Sequence, residues 1–194
     1  MPALTARLRN RPAARRWLLT AATGALGATL LTAVPAHADG VRLTDPADAT
    51  ASLADVREVT LRHTARRVVV VVRVTDLRRS ARSGPAGAAV FYDTNRSVAG
   101  PEWRLTTGLH DGTDYQLVRS RGWNGTVGEP SSCGYRVRLD YAADTMTSWV
   151  ARRCLGNPPR VRVGVHVVDQ HDPSHPVEDW LGAARSWTPA FAPG

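Results

Sequence analysis

The two cysteines of the chain are spaced to form a disulfide across a β-hairpin. Cys133 begins a run in which apolar and polar residues alternate up to Tyr141, and a second alternating run starts at Met146 and ends at Cys154. Pairing the runs about a turn at Ala143-Asp144 sets Tyr141 opposite Met146 and Cys133 opposite Cys154. No histidine or acid lies at metal-ligand spacing from either cysteine, which disfavours a metal site or a reactive thiol.

Three tryptophans are candidates for stacking on sugar rings. The same pairing places Trp149 on the polar face of the hairpin, opposite Arg138, where its ring is available to a sugar or packs on the arginine stem. Trp103 and Trp123 lie in or beside strand-like runs and fit the core or a hairpin edge equally well. These residues could bind a carbohydrate or cell-wall ligand, but the alternative, a plain structural role, is the favoured interpretation.

Oxygen-bearing side chains recur at alternating positions after one strand-like run, in the order Asp93, Asn95 and Ser97, with Glu102 following. Positions 1, 3 and 5 of a calcium loop carry such ligands. The segment lacks the glycine of position 6 and the glutamate of position 12, so an ordinary Asx turn is the alternative. Asp93 and Glu102 are also the acids that a glycoside-cleaving site would use.

Other catalytic or metal chemistry has weaker support. His171 and His175 would share one face of a helix and bind zinc, but Pro173 and Pro176 favour a loop. The chain has no nucleophile elbow, no zinc-protease helix motif and no phosphate-binding glycine loop. The sequence therefore favours a protein without catalytic activity and without a cofactor, and among cations it supports Ca²⁺ better than zinc.

Strands must position these residues, since no amphipathic helical pattern follows residue 38. The run Val68–Val72 between Arg67 and Arg73 is too uniformly apolar to alternate, and it predicts a central strand covered on both faces. Together with the alternating run 56–63 it forms a predicted hairpin. We predict an all-β fold for residues 39–194, a single antiparallel β-sandwich of jelly-roll or immunoglobulin-like type with about eight to nine strands.

A resemblance to known proteins rests on short segments in the first half of this region. They are Asp45-Pro46-Ala47-Asp48, Val68–Leu77, Val90-Phe91-Tyr92-Asp93-Thr94 and Gly100-Pro101-Glu102. Their order resembles that in small secreted actinobacterial proteins without an assigned activity. It is also similar to the jelly roll of family 9 carbohydrate-binding modules and the related DOMON domains. The resemblance covers residues 40–110 and implies a sandwich fold.

Residues 1–38 have the pattern of a secretory signal peptide. A segment with five arginines precedes an uncharged, mostly apolar stretch at residues 17–34, and Ala36-His37-Ala38 supplies a cleavage motif before Asp39. Arg15-Arg16 is similar to a twin-arginine signal, so the export route stays open. We predict an N-terminal signal helix, cleavage and secretion, with no membrane attachment afterwards.

The charge of the chain changes once the signal is removed. All 25 basic residues are arginines; five precede residue 17, which leaves 20 arginines against 17 acids and a net charge of +3. These arginines are spread among strand positions opposite polar residues, a distribution that disfavours nucleic acid as a partner. We predict a monomer that binds an extracellular polysaccharide or, as the alternative, acts as a protein-interaction or structural module.

Overall fold

The computed structural model describes residues 40–82 and 84–194, which contain eleven strands and one 3₁₀ turn. The predicted signal peptide lies outside these residues. The strands are β1 (Val41–Thr44), β2 (Val56–His63), β3 (Arg67–Val74), β4 (Ala86–Asp93), β5 (Trp103–Gly108), β6 (Tyr115–Arg121), β7 (Gly125–Val127), β8 (Tyr135–Asp140), β9 (Thr145–Ala151), β10 (Arg162–Asp169) and β11 (Val177–Trp180). The count exceeds the predicted eight to nine because β1, β7 and β11 have only three or four residues, too few to show a periodic pattern.

The strands form two antiparallel sheets, as the all-β sandwich prediction requires. The five-stranded sheet has the order β1-β2-β3-β9-β8, and the six-stranded sheet has the order β11-β10-β4-β5-β6-β7. The apolar side chains on one face of each sheet form a common buried core. Among the described residues, no helix is long and apolar enough to cross a membrane.

The valine strand β3 is the middle strand of the five-stranded sheet, which confirms its central position. Val68, Val70 and Val72 point into the core and are at most 1% exposed. Val69 and Val71, however, lie on the outer face and are only partly buried, so the prediction of cover on both faces is wrong. The outward valines suit the strand because β-branched side chains pack against cross-strand neighbours, here Trp149 and Thr147.

The hairpin of β8 and β9 forms with a register two residues away from the predicted one. Leu139 pairs with Met146, and Arg136, not Arg138, lies opposite Trp149. The turn has four residues, 141–144, because the Asp140 carboxylate accepts hydrogen bonds from the amides of Ala142 and Ala143. A shift of two residues preserves the face on which each side chain lies, so Trp149 still points outward.

The disulfide between Cys133 and Cys154 forms as predicted, although the strand register alone would not bring the two residues together. A 3₁₀ turn, Arg152–Leu155, follows β9 and ends at Gly156 in the left-handed conformation. This turn brings Cys154 back towards the start of β8, where the two Cα atoms are 5.7 Å apart. The bond therefore links two neighbouring strands of one sheet through a turn beyond their ends.

Removing this disulfide should lower stability without changing the fold. The cysteines are 21 residues apart, and opening a loop of that size costs about 3 kcal/mol of unfolding free energy in the chain-entropy model. The double variant Cys133→Ala, Cys154→Ala should show this loss in urea unfolding, and reduced wild-type protein should match it. A loss below about 1 kcal/mol would contradict the assignment of a stabilising role.

Candidate functional site

The outer face of the five-stranded sheet collects arginines around one tryptophan. Because alternate strand residues point to opposite sides, the residues between the buried ones of each strand all lie on this face. We call it the arginine–tryptophan face. Its members include Arg42, Glu58, Thr60, Arg62, Arg67, Val69, Val71, Arg73, Arg136, Arg138, Asp140, Thr147 and Trp149.

Trp149 occupies the middle of one cross-strand row on this face. Val69 of β3 pairs with it on one side and Arg136 of β8 on the other, and Arg62 of β2 lies beyond Val69. The tryptophan is half-buried, whereas Arg62 and Arg136 are exposed. Directly paired side chains have Cβ atoms roughly 5 Å apart, so the indole ring lies within reach of the arginine beside it. The row offers an apolar ring surface between two positive charges.

A further arginine and a glycine border the Trp149 ring. Gly134 precedes β8, and a Cβ atom placed on it would lie 4.0 Å from Cζ3 of Trp149 and 3.8 Å from Nη2 of Arg153. The indole edge and the Arg153 guanidinium therefore both lie close to a residue that has no side chain. Arg66 and Arg67 also lie near the ring, because they line the same shallow depression as Trp149. Positive groups thus surround the ring on several sides.

Few acids offset the charge of the arginine–tryptophan face. Glu58 lies 2.5 Å from Arg42 and 3.5 Å from Arg73, and its hydrogen bond with Arg42 lowers the pKa of the Glu58 carboxyl. Asp140 lies 3.6 Å from Arg138.

Within residues 40–82 and 84–194, no ion pair to a carboxylate involves three exposed arginines of the face, Arg62, Arg67 and Arg136. Along the sequence the arginines are spread over many strand positions, whereas strand pairing gathers six of them on this single face.

The other two predicted tryptophans lie elsewhere and serve different contacts. Trp103 packs against the edge of the core, with the Arg119 guanidinium 4.6 Å from its ring centre. Trp123 lies on the outer face of the six-stranded sheet, where its ring centre is 4.9 Å from that of Phe91 and 4.4 Å from that of Trp187. The three tryptophans therefore do not form one flat binding platform.

The contacts of Trp123 explain its position. A Cβ atom on Gly164 would come within 3.1 Å of the Trp123 ring, so the indole lies directly on the backbone of β10. Trp180 also packs against Phe91, and Phe91 is only 3% exposed although it lies on an outer face. This cluster covers the six-stranded sheet, which matches the structural alternative stated for Trp123.

The predicted calcium loop is ordered by its own hydrogen bonds. The Asp93 carboxylate accepts from Arg162 Nε at 2.5 Å and from the Asn95 amide at 3.1 Å. Glu102 Oε2 accepts from the Thr94 amide at 2.7 Å, and Asn95 Oδ1 accepts from the Ser97 amide at 3.1 Å. The Asp93–Asn95 and Asn95–Ser97 contacts are those of Asx turns. Calcium at this loop stays a prediction, and a cation there would compete with Arg162 for Asp93.

The histidine pair lies in a loop, as its neighbouring prolines indicate. His175 Nδ1 is 3.1 Å from Oδ2 of Asp172, which also accepts from the Ser174 hydroxyl at its other oxygen. These side chains are exposed at the surface. Zinc at this position remains a prediction with no further described ligand to support it.

Sequence reasoning missed a cluster of three carboxylates. Asp45 and Asp48 lie in the loop after β1, Asp179 lies in β11, and one carboxylate oxygen of each residue lies within 4.8 Å of the others. Asp45 and Asp179 are 6% and 5% exposed, whereas Asp48 is exposed. The Asp45-Pro46-Ala47-Asp48 segment is one of those that carry the resemblance described above, but no local signal links it to a residue so distant in the chain.

The two buried carboxylates of this cluster connect the sheets and carry raised pKa values. Asp45 Oδ1 accepts from the Gly182 amide at 2.6 Å, and Asp179 Oδ2 accepts from the Val56 amide at 2.5 Å. Burial raises the pKa of the Asp45 carboxyl. Burial also raises the pKa of Asp179 to about 6, and repulsion from the neighbouring aspartates adds to the increase.

Comparison of the chain with protein-family models, with curated proteins and with solved structures finds no match. The resemblance to family 9 carbohydrate-binding modules and DOMON domains therefore stays a prediction from the sequence.

The raised pKa of Asp179 predicts a pH dependence of stability. In the folded protein this carboxyl binds a proton between its ordinary pKa of 3.8 and about 6, where the unfolded chain has released it. In buffer free of divalent cations, the free energy of unfolding should therefore fall as pH rises through this range. Asp179→Asn should remove that part of the slope and should be more stable than wild type at pH 7, as measured by urea unfolding at several pH values.

A matched control for this experiment is Asp76→Asn, which changes an exposed acid outside the cluster. The free energy of unfolding of this control should change with pH as it does in the wild type. If the free energy of unfolding of Asp179→Asn also changes with pH as in the wild type, Asp179 does not carry the expected proton.

Proposed function

We propose that this protein is an exported, non-catalytic binding protein whose arginine–tryptophan face binds an anionic extracellular polysaccharide. The observation that carries the proposal is the row in which the half-exposed Trp149 ring lies between the exposed arginines Arg62 and Arg136. In this proposal a sugar ring stacks on the indole and the acidic groups of the polymer bind the guanidinium groups. A ligand that makes both kinds of contact must contain sugar rings and acidic groups, as an acidic glycan does.

The chemistry of the face suits this class of ligand. A guanidinium group has a planar set of donors that matches a carboxylate or a phosphate, and it remains charged at all relevant pH values. The apolar face of an indole favours contact with a ring that presents C–H groups. Because Arg62 and Arg136 lack a carboxylate partner among the described residues, a ligand does not have to break an existing ion pair to reach them.

The width of the sheet also suits a linear polymer. Arg62 lies on β2 and Arg136 on β8, with β3 and β9 between them. Three strand spacings of about 4.8 Å place the two strand axes roughly 14 Å apart. The strand ladder sets the backbone positions of these residues, so binding has to order the arginine side chains but not the backbone.

Two alternative functions, a protein-interaction module and a glycoside-cleaving enzyme, have less support from the structure. The large hydrophobic side chains that are clearly exposed within the described residues are Val98, Tyr115 and Val127, which belong to separate segments. That arrangement gives little surface for an apolar protein partner. For glycoside cleavage, Asp93 and Glu102 would have to act as free acids, but both accept hydrogen bonds that hold the loop.

Binding to polygalacturonate, compared with neutral dextran, tests the proposal. Wild-type protein from residue 39 onwards should co-sediment with the acidic polymer, bind the neutral one weakly, and lose affinity as NaCl is raised. Arg136→Ala should weaken binding about tenfold or more, since a hydrogen bond to a charged group contributes about 1.5–3 kcal/mol. Trp149→Ala should also weaken binding, because it removes the ring on which the sugar stacks. Isothermal titration calorimetry measures the dissociation constants of the wild type and of each variant.

Two further variants sharpen this experiment. Arg136→Lys keeps the charge but loses the planar donor set, so it should bind between the wild type and Arg136→Ala. Arg121→Ala removes an exposed arginine from β6 of the other sheet and should bind as the wild type does. Equal binding by wild type and Trp149→Ala would refute the proposal, and so would tighter binding to double-stranded DNA than to polygalacturonate.

A further inference from the structure

We propose that Asp45, Asp48 and Asp179 form a calcium-binding site that ties the two sheets of the sandwich together. This site is separate from the Asp93 loop and from the arginine–tryptophan face. It does not depend on the function proposed above. The inference rests on the distances between the carboxylates, on one unpaired buried oxygen and on the local balance of charge.

The distances suit calcium. One carboxylate oxygen from each of the three aspartates lies within 4.8 Å of the others. Calcium binds oxygen ligands at 2.3–2.6 Å, so two ligands on opposite sides of the ion are about 4.6–5.2 Å apart, and adjacent ligands are closer. The three oxygens therefore reach a common ion without large movement. Because Asp48 is exposed, water can supply further ligands from the solvent side.

The Asp45 carboxylate points independently to a missing partner. The side chain is only 6% exposed, and its Oδ1 accepts the Gly182 amide. Its Oδ2 is buried and has no hydrogen-bond partner among the described residues. A buried carboxylate oxygen without a donor is costly, and a cation bound beside it would remove that cost.

The local balance of charge also favours a cation. A fourth carboxylate nearby, Asp55, has its own partners: Arg57 at 2.9 Å, the Thr75 hydroxyl at 3.2 Å and the Ala49 amide at 3.1 Å. Within the part of the chain that the structure describes, the ion pairs include none to Asp45, Asp48 or Asp179. Hard carboxylate oxygens from separate parts of the chain match calcium, which accepts irregular sets of six to eight ligands, better than magnesium, which demands a regular octahedron.

The position of the site gives the ion a structural role. Asp45 and Asp48 follow β1, an edge strand of the five-stranded sheet, and Asp179 belongs to β11, an edge strand of the six-stranded sheet. The Asp179–Val56 hydrogen bond already joins β11 to the start of β2, and the Asp45–Gly182 hydrogen bond joins the segments that follow β1 and β11. A calcium ion would add a third link at the same place and would neutralise the repulsion between the carboxylates.

Thermal unfolding and calorimetry with CaCl₂ test the site. In protein from residue 39 onwards, treated with a chelator and dialysed, added calcium should raise the melting temperature. At a concentration 100 times the dissociation constant, the ratio of folded to unfolded protein should rise about 100-fold. A range up to about 10 mM covers the weak sites of extracellular modules, whose dissociation constants are 10⁻⁴–10⁻³ M. Magnesium at equal concentration should have a smaller effect.

The variant Asp48→Asn separates binding from folding. Asp48 is exposed, so the variant should fold, and without calcium its melting temperature should equal or exceed that of the wild type because one like charge is gone. Calcium should raise the melting temperature of Asp48→Asn much less than that of the wild type. Asp76→Asn, which removes an exposed acid elsewhere, should retain the full increase.

Three results would overturn the proposal. The first is no change in wild-type melting temperature up to 10 mM calcium, above the usual range for weak sites. The second is an equal increase in Asp48→Asn and in the wild type. The third is an increase that is retained in Asp48→Asn but lost in Asp93→Asn, which would place the calcium in the Asp93 loop.

Discussion

The packing of the inner face of β3 against the facing sheet is the constraint on which the rest of the structure depends. Val68, Val70 and Val72 are almost completely buried at the middle of the five-stranded sheet. Burial of such side chains contributes roughly 1.5–3 kcal/mol each, and any slip of one residue would exchange the buried and the outward set. Because β2 and β9 pair directly with β3, the orientation of β3 also determines which of their side chains face the core.

The same alternation that builds the core also builds the candidate binding face. When the even-numbered valines of β3 point inward, Val69 and Val71 must point outward, and the paired residues of β9 and β8 point outward with them. Trp149 and Arg136 therefore meet on the outer face because Val150 and Val137 are needed inside. The arginine–tryptophan face is thus a geometric consequence of the core.

The acidic cluster depends on a different part of the architecture. It lies where edge strands of the two sheets approach each other, and its residues are held by hydrogen bonds that cross between the sheets. The burial that raises the pKa of Asp179 also makes an unneutralised charge costly there. The arginine–tryptophan face and this cluster carry opposite charges, so they would bind different kinds of ligand.

The sequence by itself determined the features that depend on local pattern. Alternating residues identified most strands, and the all-β sandwich followed from their number and spacing. The disulfide was predictable because both cysteines end alternating runs of one hairpin. In contrast, the four-residue turn depends on the Asp140 side chain binding two amides, which a pattern of polar and apolar residues does not report.

Only the tertiary structure decided what each outward side chain meets. The six arginines of the face are separated along the chain and become neighbours through the order of the five strands. Asp179 meets Asp45 because β11 and the loop after β1 lie at adjoining sheet edges, and hydrogen bonds across that junction hold them there. Such contacts are set by burial and strand order over the whole chain, so no local spacing encodes them.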